Sequence, residues 1–307
     1  MKILVMGAGA VGCYYGAMLA RAGHPVTLVG RQRHVEVINR DGLMLETVAF
    51  SERLPVHATV SPAAAADAEL VLVCVKSGDT ERAGQELAPH LAPHPAKGAI
   101  VLSLQNGVDN ADRLAQVLGR PVIPAVVYVA VEMAGPGHVR HHGRGDLLIG
   151  DSARSQEIAA LLTAASVPTT VSADVLAALW DKLIINCAFN ALSAIPQLPY
   201  GELVKREQVL EVMHDVAAEC LAVAAAAGIR VNSDPRLAIG KIAESMATQY
   251  SSTAQDLAAG RPSEIEHLNG YIVKTGARLQ VPTPVNRVLY ALVRLMERGP
   301  LSSDRRP

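Results

Sequence analysis

The chain has 307 residues, half of them hydrophobic and 19% charged, with 28 basic against 29 acidic side chains and a net charge of −1. That length holds one large domain or two smaller ones, and that apolar content argues against disorder over most of it. The balanced charge offers no basic face for nucleic acid, which leaves a small-molecule site as the class to look for.

Cys13, Cys74, Cys187 and Cys220 are widely separated and form no C-x-x-C pair. The spacing argues against a disulfide framework or a zinc site and suits a reducing cytosol. Three of the four lie in apolar runs, where a small buried thiol is the plainer explanation. The first residues form a strand at once, without a basic-then-apolar leader. Every apolar run is interrupted before membrane-spanning length; residues 216–227 contain Glu219 and read as a buried helix. The expectation is a cytoplasmic protein with neither membrane nor nucleic-acid partner.

Along the chain, residues 2–6 read as a strand, 11–22 as a helix and 26–29 as a second strand. Residues 70–75 and 99–102 are further all-apolar strands, with a helical stretch over 80–91 between them. Strands that are apolar throughout and separated by helices indicate a parallel sheet covered on both faces. Right-handed crossovers then give a doubly wound α/β domain. Residues 122–131 read as another strand. Residues 137–142 and 146–149, joined by Gly143-Arg144-Gly145, read as a hairpin closing the domain. After residue 170 the pattern turns helical, over 173–194, 204–227, 235–250, 264–279 and 285–298, with no further strand. A boundary is expected near 167–172, and the polar tail 302–307 is expected to fray.

Gly7-Ala8-Gly9-Ala10-Val11-Gly12 is a G-x-G-x-x-G directly after a strand and at a helix start. The first glycine permits a tight turn, the second lets the backbone approach a pyrophosphate, and the third allows close helix–strand packing. At the end of the second strand an NAD enzyme usually places an acid for the ribose hydroxyls. Here Gly30-Arg31-Gln32-Arg33 follows, with no acid. Arg31 and Arg33 are either solvated loop residues or a grip on a 2′-phosphate, and the missing acid favours NADPH. Lys76 and Asn106 follow two further strand ends, where ligands of open α/β sheets gather. Lys76 is either a snorkelling surface lysine or a residue reaching substrate or cofactor. Asn106, in Gln105-Asn106-Gly107, is as readily a turn residue as a hydrogen-bonding partner.

In the helical half, Lys182, Asn186 and Asn190 fall at i, i+4 and i+8 on one stripe of an otherwise apolar helix. Such residues either tie helices together through a buried polar network or line a cleft, where desolvation would lower the lysine pKa. A lysine so placed is the acid that carbonyl reduction needs, because hydride attack builds negative charge on oxygen. A second polar concentration runs from Tyr250 to Glu266. Ser263 and Glu266 match a capping box opening the next helix, which leaves Glu264 freer to meet a ligand. Ser251 and Ser252 are either turn residues or donors to a carboxylate. His138, His141 and His142 lack acids at ligand spacing and are not taken as a metal site.

The opening GAGAVG, the Val75-Lys76 pair, the QNG of Gln105–Gly107, LWDKLIINCAFNALSAI over 179–195 and SSTAQDLAAGRPSEIEHLNG over 251–270 together resemble ketopantoate reductases, in order and over nearly the whole length. The resemblance implies an α/β fold with an N-terminal Rossmann-type domain over 1–168. Over 169–307 it implies an all-helical domain similar to that of 6-phosphogluconate dehydrogenases. It implies NADPH-dependent reduction of 2-dehydropantoate, a small 2-keto acid, to (R)-pantoate on the way to pantothenate and coenzyme A. Lys182 would match the general acid, and Glu264 the carboxylate that holds the distal hydroxyl and orients the lysine. Asn186, Asn190 and Ser252 would match substrate ligands, Lys76 and Asn106 residues near nicotinamide and substrate, and Arg31 the 2′-phosphate ligand. Two positions depart from the family pattern: Gln249 stands where an asparagine is common, and SEIE replaces TEID beside Glu264. The alternatives are the same reaction on another branched 2-keto acid and a non-catalytic NADPH sensor. Exposed apolar helix faces would suit a second copy of the chain, as a homodimer.

Overall fold

Four consecutive apolar residues, Ile3–Met6, form strand β1, and all four are buried. They open a computed structural model that describes residues 1–92 and 98–297. Helix α1 follows over Ala10–Arg21, then β2 over Val26–Val29, α2 over Gln32–Asp41, and three short strands, β3 (Leu43–Glu46), β4 (Ser51–Leu54) and β5 (His57–Thr59). Next come β6 (Leu70–Val73), α3 (Thr80–Leu87), β7 (Ile100–Ser103), α4 (Asn110–Leu118), β8 (Ile123–Gly135), β9 (His138–Gly150), α5 (Ser155–Ala164) and β10 (Thr169–Ser172). The main sheet runs β4-β3-β9-β8-β7-β6-β1-β2-β5, with β10 paired to β9.

Alternation of side chains across each strand explains the unbroken apolar runs. Ile3, Val5, Leu70 and Leu72 pack on one face with Tyr15, Leu19 and Leu28. Leu4, Met6, Val71 and Val73 pack on the other with Ala83, Leu87 and Leu114. Each fully buried leucine or valine contributes about 1.5–3 kcal/mol over leaving it in water. Both faces of the central strands are therefore committed to the core.

The sheet is mixed. From β8 through β5 its strands are parallel, but β8 and β9 are antiparallel, as are β3 and β4. The glycines of Gly143-Arg144-Gly145 do not turn the chain, as the sequence suggested. They sit inside β9, where the register shifts against β8 between Tyr128 and Val129 and again between Ala130 and Val131. Backbone φ values of 157°, 58° and 131° at these three residues mark a bulged strand. A Cβ at Gly145 would lie 2.3 Å from the Tyr14 hydroxyl, so only glycine fits there. The hairpin turn itself falls at Pro136-Gly137, between β8 and β9.

Two compact units emerge, Met1–Leu176 and the residues from Ala177 onward. Because β10 pairs with β9, residues 169–172 belong to the first unit. The second is helical: most of α6 (Val175–Ala194), then α7 (Tyr200–Leu203), α8 (Glu207–Ala226), α9 (Pro235–Ser245), α10 (Ser252–Ala258), α11 (Asn269–Leu279) and α12 (Pro284–Met296). Helix α6 is long and apolar enough to cross a membrane, but 61% of its 18-residue apolar stretch is buried inside the fold. Its Trp180 meets Tyr271 edge-on at 6.0 Å, and its Phe189 lies 4.5 Å from Tyr200. Those contacts make it a core helix. Three predicted helices are shorter than their patterns. The stretch over 204–227 is helical only from Glu207 to Ala226, and that over 235–250 ends at Ser245. Ala247 and Gln249 instead turn their carbonyls to the N–H groups of Gly201 and Tyr200. The stretch from 264 opens as a short 3-10 turn over Ile265–His267 and becomes helical only at Asn269. The expected tail 302–307 and the last residue of the helix expected to reach 298 lie outside the described residues.

Candidate active site

At β1 the chain order of the sheet reverses: β2 lies on one side and β6 on the other. Such a reversal opens a crevice at the carboxyl ends of the strands. Four loops meet this edge, following β1, β2, β6 and β7, and they carry Gly7–Gly12, Arg31, Lys76 and Asn106. The glycines do three different jobs. Gly7 has φ +115°, and a Cβ there would lie 2.8 Å from the backbone of Cys74 and Val75. At Gly12 a Cβ would lie 2.1 Å from the Gly7 carbonyl and 2.9 Å from Val5, so close packing excludes any side chain. At Gly9 a Cβ would meet nothing within 4 Å. Gly9 is also the N-cap of α1, where no side chain caps the helix and no acid lies in the first turn. An open approach to a positive, uncapped helix N-terminus fits a pyrophosphate.

Arg31 is exposed at the N-cap of α2, immediately after β2 and Gly30, and Arg33 is exposed two residues on. His34 beside them is buried, and its pKa is lowered first by burial and then by Arg33 and Arg31. Two guanidinium groups thus stand exposed just after β2, and the residues at this edge fit a dinucleotide.

The loops bearing Lys76 and Asn106 are tied together from beneath. Ser77 Oγ donates to the Asn106 carbonyl at 2.8 Å, and Asn110 Nδ2 donates to the same oxygen at 2.6 Å. Gln105 Nε2 donates to the Val75 carbonyl at 3.1 Å and to Thr80 Oγ1 at 2.8 Å. Arg113 donates to the Ser77 carbonyl at 2.8 Å and pairs with both oxygens of Glu81 at 2.7 Å. Ser77, Thr80, Gln105 and Asn110 are all buried. Sequence reasoning missed Ser77, Asn110 and Arg113; the available signal was a polar cluster just after two strand ends.

In the helical unit, Lys182, Asn186 and Asn190 share one stripe of α6, the first two half-buried and Asn190 2% exposed. Beside Lys182, Asp181 Oδ1 accepts from Ser233 N–H at 3.1 Å and Ser233 Oγ at 2.7 Å. Ser251 is the N-cap of α10: its Oγ accepts from Ala254 N–H at 3.0 Å and lies 3.1 Å from the Asn190 carbonyl. Its own N–H donates to Ser193 Oγ at 3.1 Å. These bonds seat the start of α10, with exposed Ser252, against the Asn190 turn of α6.

Glu264 is half-buried at the turn before α11. The capping box expected there does not form. Ser263 N–H and Oγ both donate to Glu297 Oε1, at 2.8 and 2.7 Å, while the Glu266 carboxylate is taken by Lys274 and Tyr290. Asn269, at the head of α11, donates to the Cys187 carbonyl at 3.1 Å, which fastens this segment to α6 one residue past Asn186.

The histidines of β9 have acids nearby after all, brought by neighbouring strands. His138 pairs with Glu46 at 2.9 Å and His142 with Glu132 at 3.1 Å, while His141 stacks on Tyr14 at 4.5 Å. Among the described residues no group of three or more His, Cys, Asp or Glu side chains is placed to hold a metal. All four cysteines are free, and three are buried. Burial pushes the Cys13 thiol up to about 12 and raises Cys74 and Cys187 well above the usual range, so these thiols stay protonated and inert.

Both halves match known families separately. Residues 3–154 fit the family model described as ketopantoate reductase PanE/ApbA, and residues 174–297 fit its C-terminal counterpart. The chain belongs to the ketopantoate reductase family. A 2-dehydropantoate 2-reductase of Halobacterium salinarum is 35% identical over 307 residues, covering 97% of this chain and 99% of the relative. One from Pyrococcus horikoshii is 32% identical over 303 residues, covering 97% and 98%. Among solved structures, a PanE/ApbA family ketopantoate reductase from Ralstonia eutropha JMP134 superposes with TM-score 0.93 at 58% identity, covering 97% of this chain and 98% of that one. D-mandelate dehydrogenase, solved with NADH and anilino(oxo)acetate, shares the fold with TM-score 0.90 at 24% identity, covering 97% and 98%. As a member of the ketopantoate reductase family the chain is an oxidoreductase, with a Rossmann-type unit followed by the family's helical C-terminal domain.

Proposed function

We propose that the chain is a cytoplasmic NADPH-dependent reductase that converts 2-dehydropantoate to (R)-pantoate, feeding pantothenate and coenzyme A synthesis. The observation that carries this reading is the Lys182–Asn186–Asn190 stripe on a largely apolar α6, in a chain whose relatives bear the name 2-dehydropantoate 2-reductase. Gly7, Ala8, Gly9, Ala10, Val11 and Gly12 hold the pyrophosphate at the head of α1, and Arg31 holds the 2′-phosphate. Lys76 and Asn106 position nicotinamide and substrate. When bound, reduced nicotinamide supplies the hydride that reduces C2 of the keto acid. Lys182 hydrogen-bonds the ketone oxygen, stabilises the negative charge that develops there and gives up the proton. Asn186, Asn190 and Ser252 orient the carboxylate side of the substrate, and Glu264 accepts from its distal hydroxyl while orienting Lys182. The inert buried thiols suit a reducing compartment.

The test is steady-state turnover of ketopantoate with NADPH by the native chain and by Lys182→Ala. The expected loss in kcat is about 100-fold or more, the scale of general acid assistance. A loss below about threefold would remove the proton-donor role from Lys182.

A further inference from the structure

We infer that Asn110 is a positioning residue: it locks the loops bearing Lys76 and Asn106 into one rigid body and so sets where those two side chains stand. The inference rests on the reading of Lys76 and Asn106 proposed above. Asn110 is the first residue of α4 and is 3% exposed. Its Nδ2 lies 2.6 Å from the Asn106 carbonyl and 3.2 Å from Ser77 Oγ, while Ser77 Oγ itself donates to the Asn106 carbonyl at 2.8 Å. One peptide oxygen thus takes two donors, immediately before Gly107 with its φ of +101°.

The amide cannot be turned over. Asn110 Oδ1 lies 3.0 Å from Thr80 Oγ1 and 3.2 Å from Arg113 Nη1, and Arg113 can only donate. The acceptor side of the amide is therefore claimed, and its donor side must face Asn106. Arg113 is held in turn by the Glu81 carboxylate, and its Nη2 also reaches the Ser77 carbonyl at 2.8 Å. A buried polar network with this many members is no more stable than well-packed apolar side chains would be. What it supplies is direction. The bonds from Ser77 Oγ and Asn110 Nδ2 to the Asn106 carbonyl and from Arg113 Nη2 to the Ser77 carbonyl end on the backbone of two loops at the carboxyl edge of the sheet, where a displacement of about 1 Å can cost about 100-fold in rate.

The test is a double-variant cycle in the full chain, with kcat, the dissociation constant for NADPH and thermal midpoint all measured. Asn110→Asp keeps the size and the acceptor side but cannot donate to the Asn106 carbonyl. The expected result is a kcat reduced by about tenfold or more, with the NADPH dissociation constant changed less than about threefold, because pyrophosphate and 2′-phosphate are gripped elsewhere. In an Asn106→Ala background, Asn110→Asp should lower kcat by clearly less than it does in the native chain, because only the part that acts through Lys76 remains. Additive losses, or a wild-type kcat in Asn110→Asp, would overturn the inference while leaving the proposed reaction intact. A wild-type kcat in Asn106→Ala alone would instead remove the role of Asn106 and the inference with it. If Asn110→Asp does not accumulate as folded protein, Ser77→Ala carries the same cycle, since it removes the 2.8 Å donor to the Asn106 carbonyl together with the 3.2 Å acceptor for Asn110 Nδ2.

Discussion

Gly9 and Gly12 lack side chains for opposite reasons. At Gly12 the neighbouring backbone occupies the space, and at Gly9 nothing does, as a pyrophosphate would require. Gly12→Ala is expected to destabilise the fold by about 1–3 kcal/mol or more, the cost of overpacking. Gly9→Ala is expected to fold normally but to lose at least about tenfold in NADPH affinity, because its methyl group stands where the backbone must approach phosphate. Urea denaturation and a fluorescence titration separate the two. A Gly9→Ala variant that binds NADPH like the native chain would refute the assignment of this turn to pyrophosphate. Residues of this kind are legible in sequence because fixed spacing encodes a fixed geometry. Arg31 is legible in position for the same reason, as the residue that follows β2 and Gly30 at the head of α2. Asn110 and Ser77 are not, because the bonds that join the two loops, from Ser77 Oγ to the Asn106 carbonyl and from Asn110 Nδ2 to Ser77 Oγ, link residues about 30 positions apart, which local patterns do not report. Glu266 was misread outright: its spacing from Ser263 suits a capping box, but Lys274 and Tyr290 compete for the same carboxylate and win.

Elements with a single period were legible to within a few residues. Strands β1, β2, β6 and β7 and helix α6 all follow from unbroken apolar or 3.6-residue patterns. Strands β3, β4 and β5 went unseen: they are no shorter than β1 or β6 by more than a residue, but they mix buried with half-buried or exposed positions and lack an all-apolar run. The bulge in β9 shows the complementary failure, because glycine marks a turn and a bulge equally well. Helix ends depend on distant groups. At the head of α12, the Glu219 carboxylate of α8 accepts from Val285 N–H at 2.8 Å, Asn286 N–H at 2.9 Å and Asn286 Nδ2 at 2.8 Å. It serves as the N-cap that Thr283 does not provide. Glu219→Ala leaves these donors without their acceptor and is expected to cost about 2–3 kcal/mol, read as a lower urea midpoint. A change below about 0.5 kcal/mol would mean that water replaces the carboxylate and that the cap is not a packing device.

At the scale of the whole molecule, the pattern changes from alternating strands and helices to helices alone near 167–172, whereas the compact units divide after Leu176. Sequence did not show that the sheet is mixed, because the antiparallel arm depends on the long β8–β9 pairing. Acid stability follows from carboxylates held in this frame. Burial opposes ionisation of Glu266, but hydrogen bonds from Lys274 and Tyr290 and the nearby charges of Lys274 and Arg294 outweigh it and lower its pKa below the ordinary 4.5. A depressed folded pKa stabilises the protein above the unfolded value, and that contribution disappears as pH falls through the folded value. Glu266→Gln should therefore lose stability less steeply than the native chain between about pH 5 and pH 3, measured by urea midpoints. Parallel curves would place the pH dependence elsewhere. The most direct measurement is the ratio of kcat/KM for ketopantoate to that for 2-ketoisovalerate, the same skeleton without the distal hydroxyl, with NADPH and then NADH. Buried polar recognition of the hydroxyl predicts a preference for ketopantoate of at least about 100-fold, together with a preference for NADPH. Equal kcat/KM on both acids would contradict hydroxyl recognition by Glu264 and make the chain a general 2-keto acid reductase.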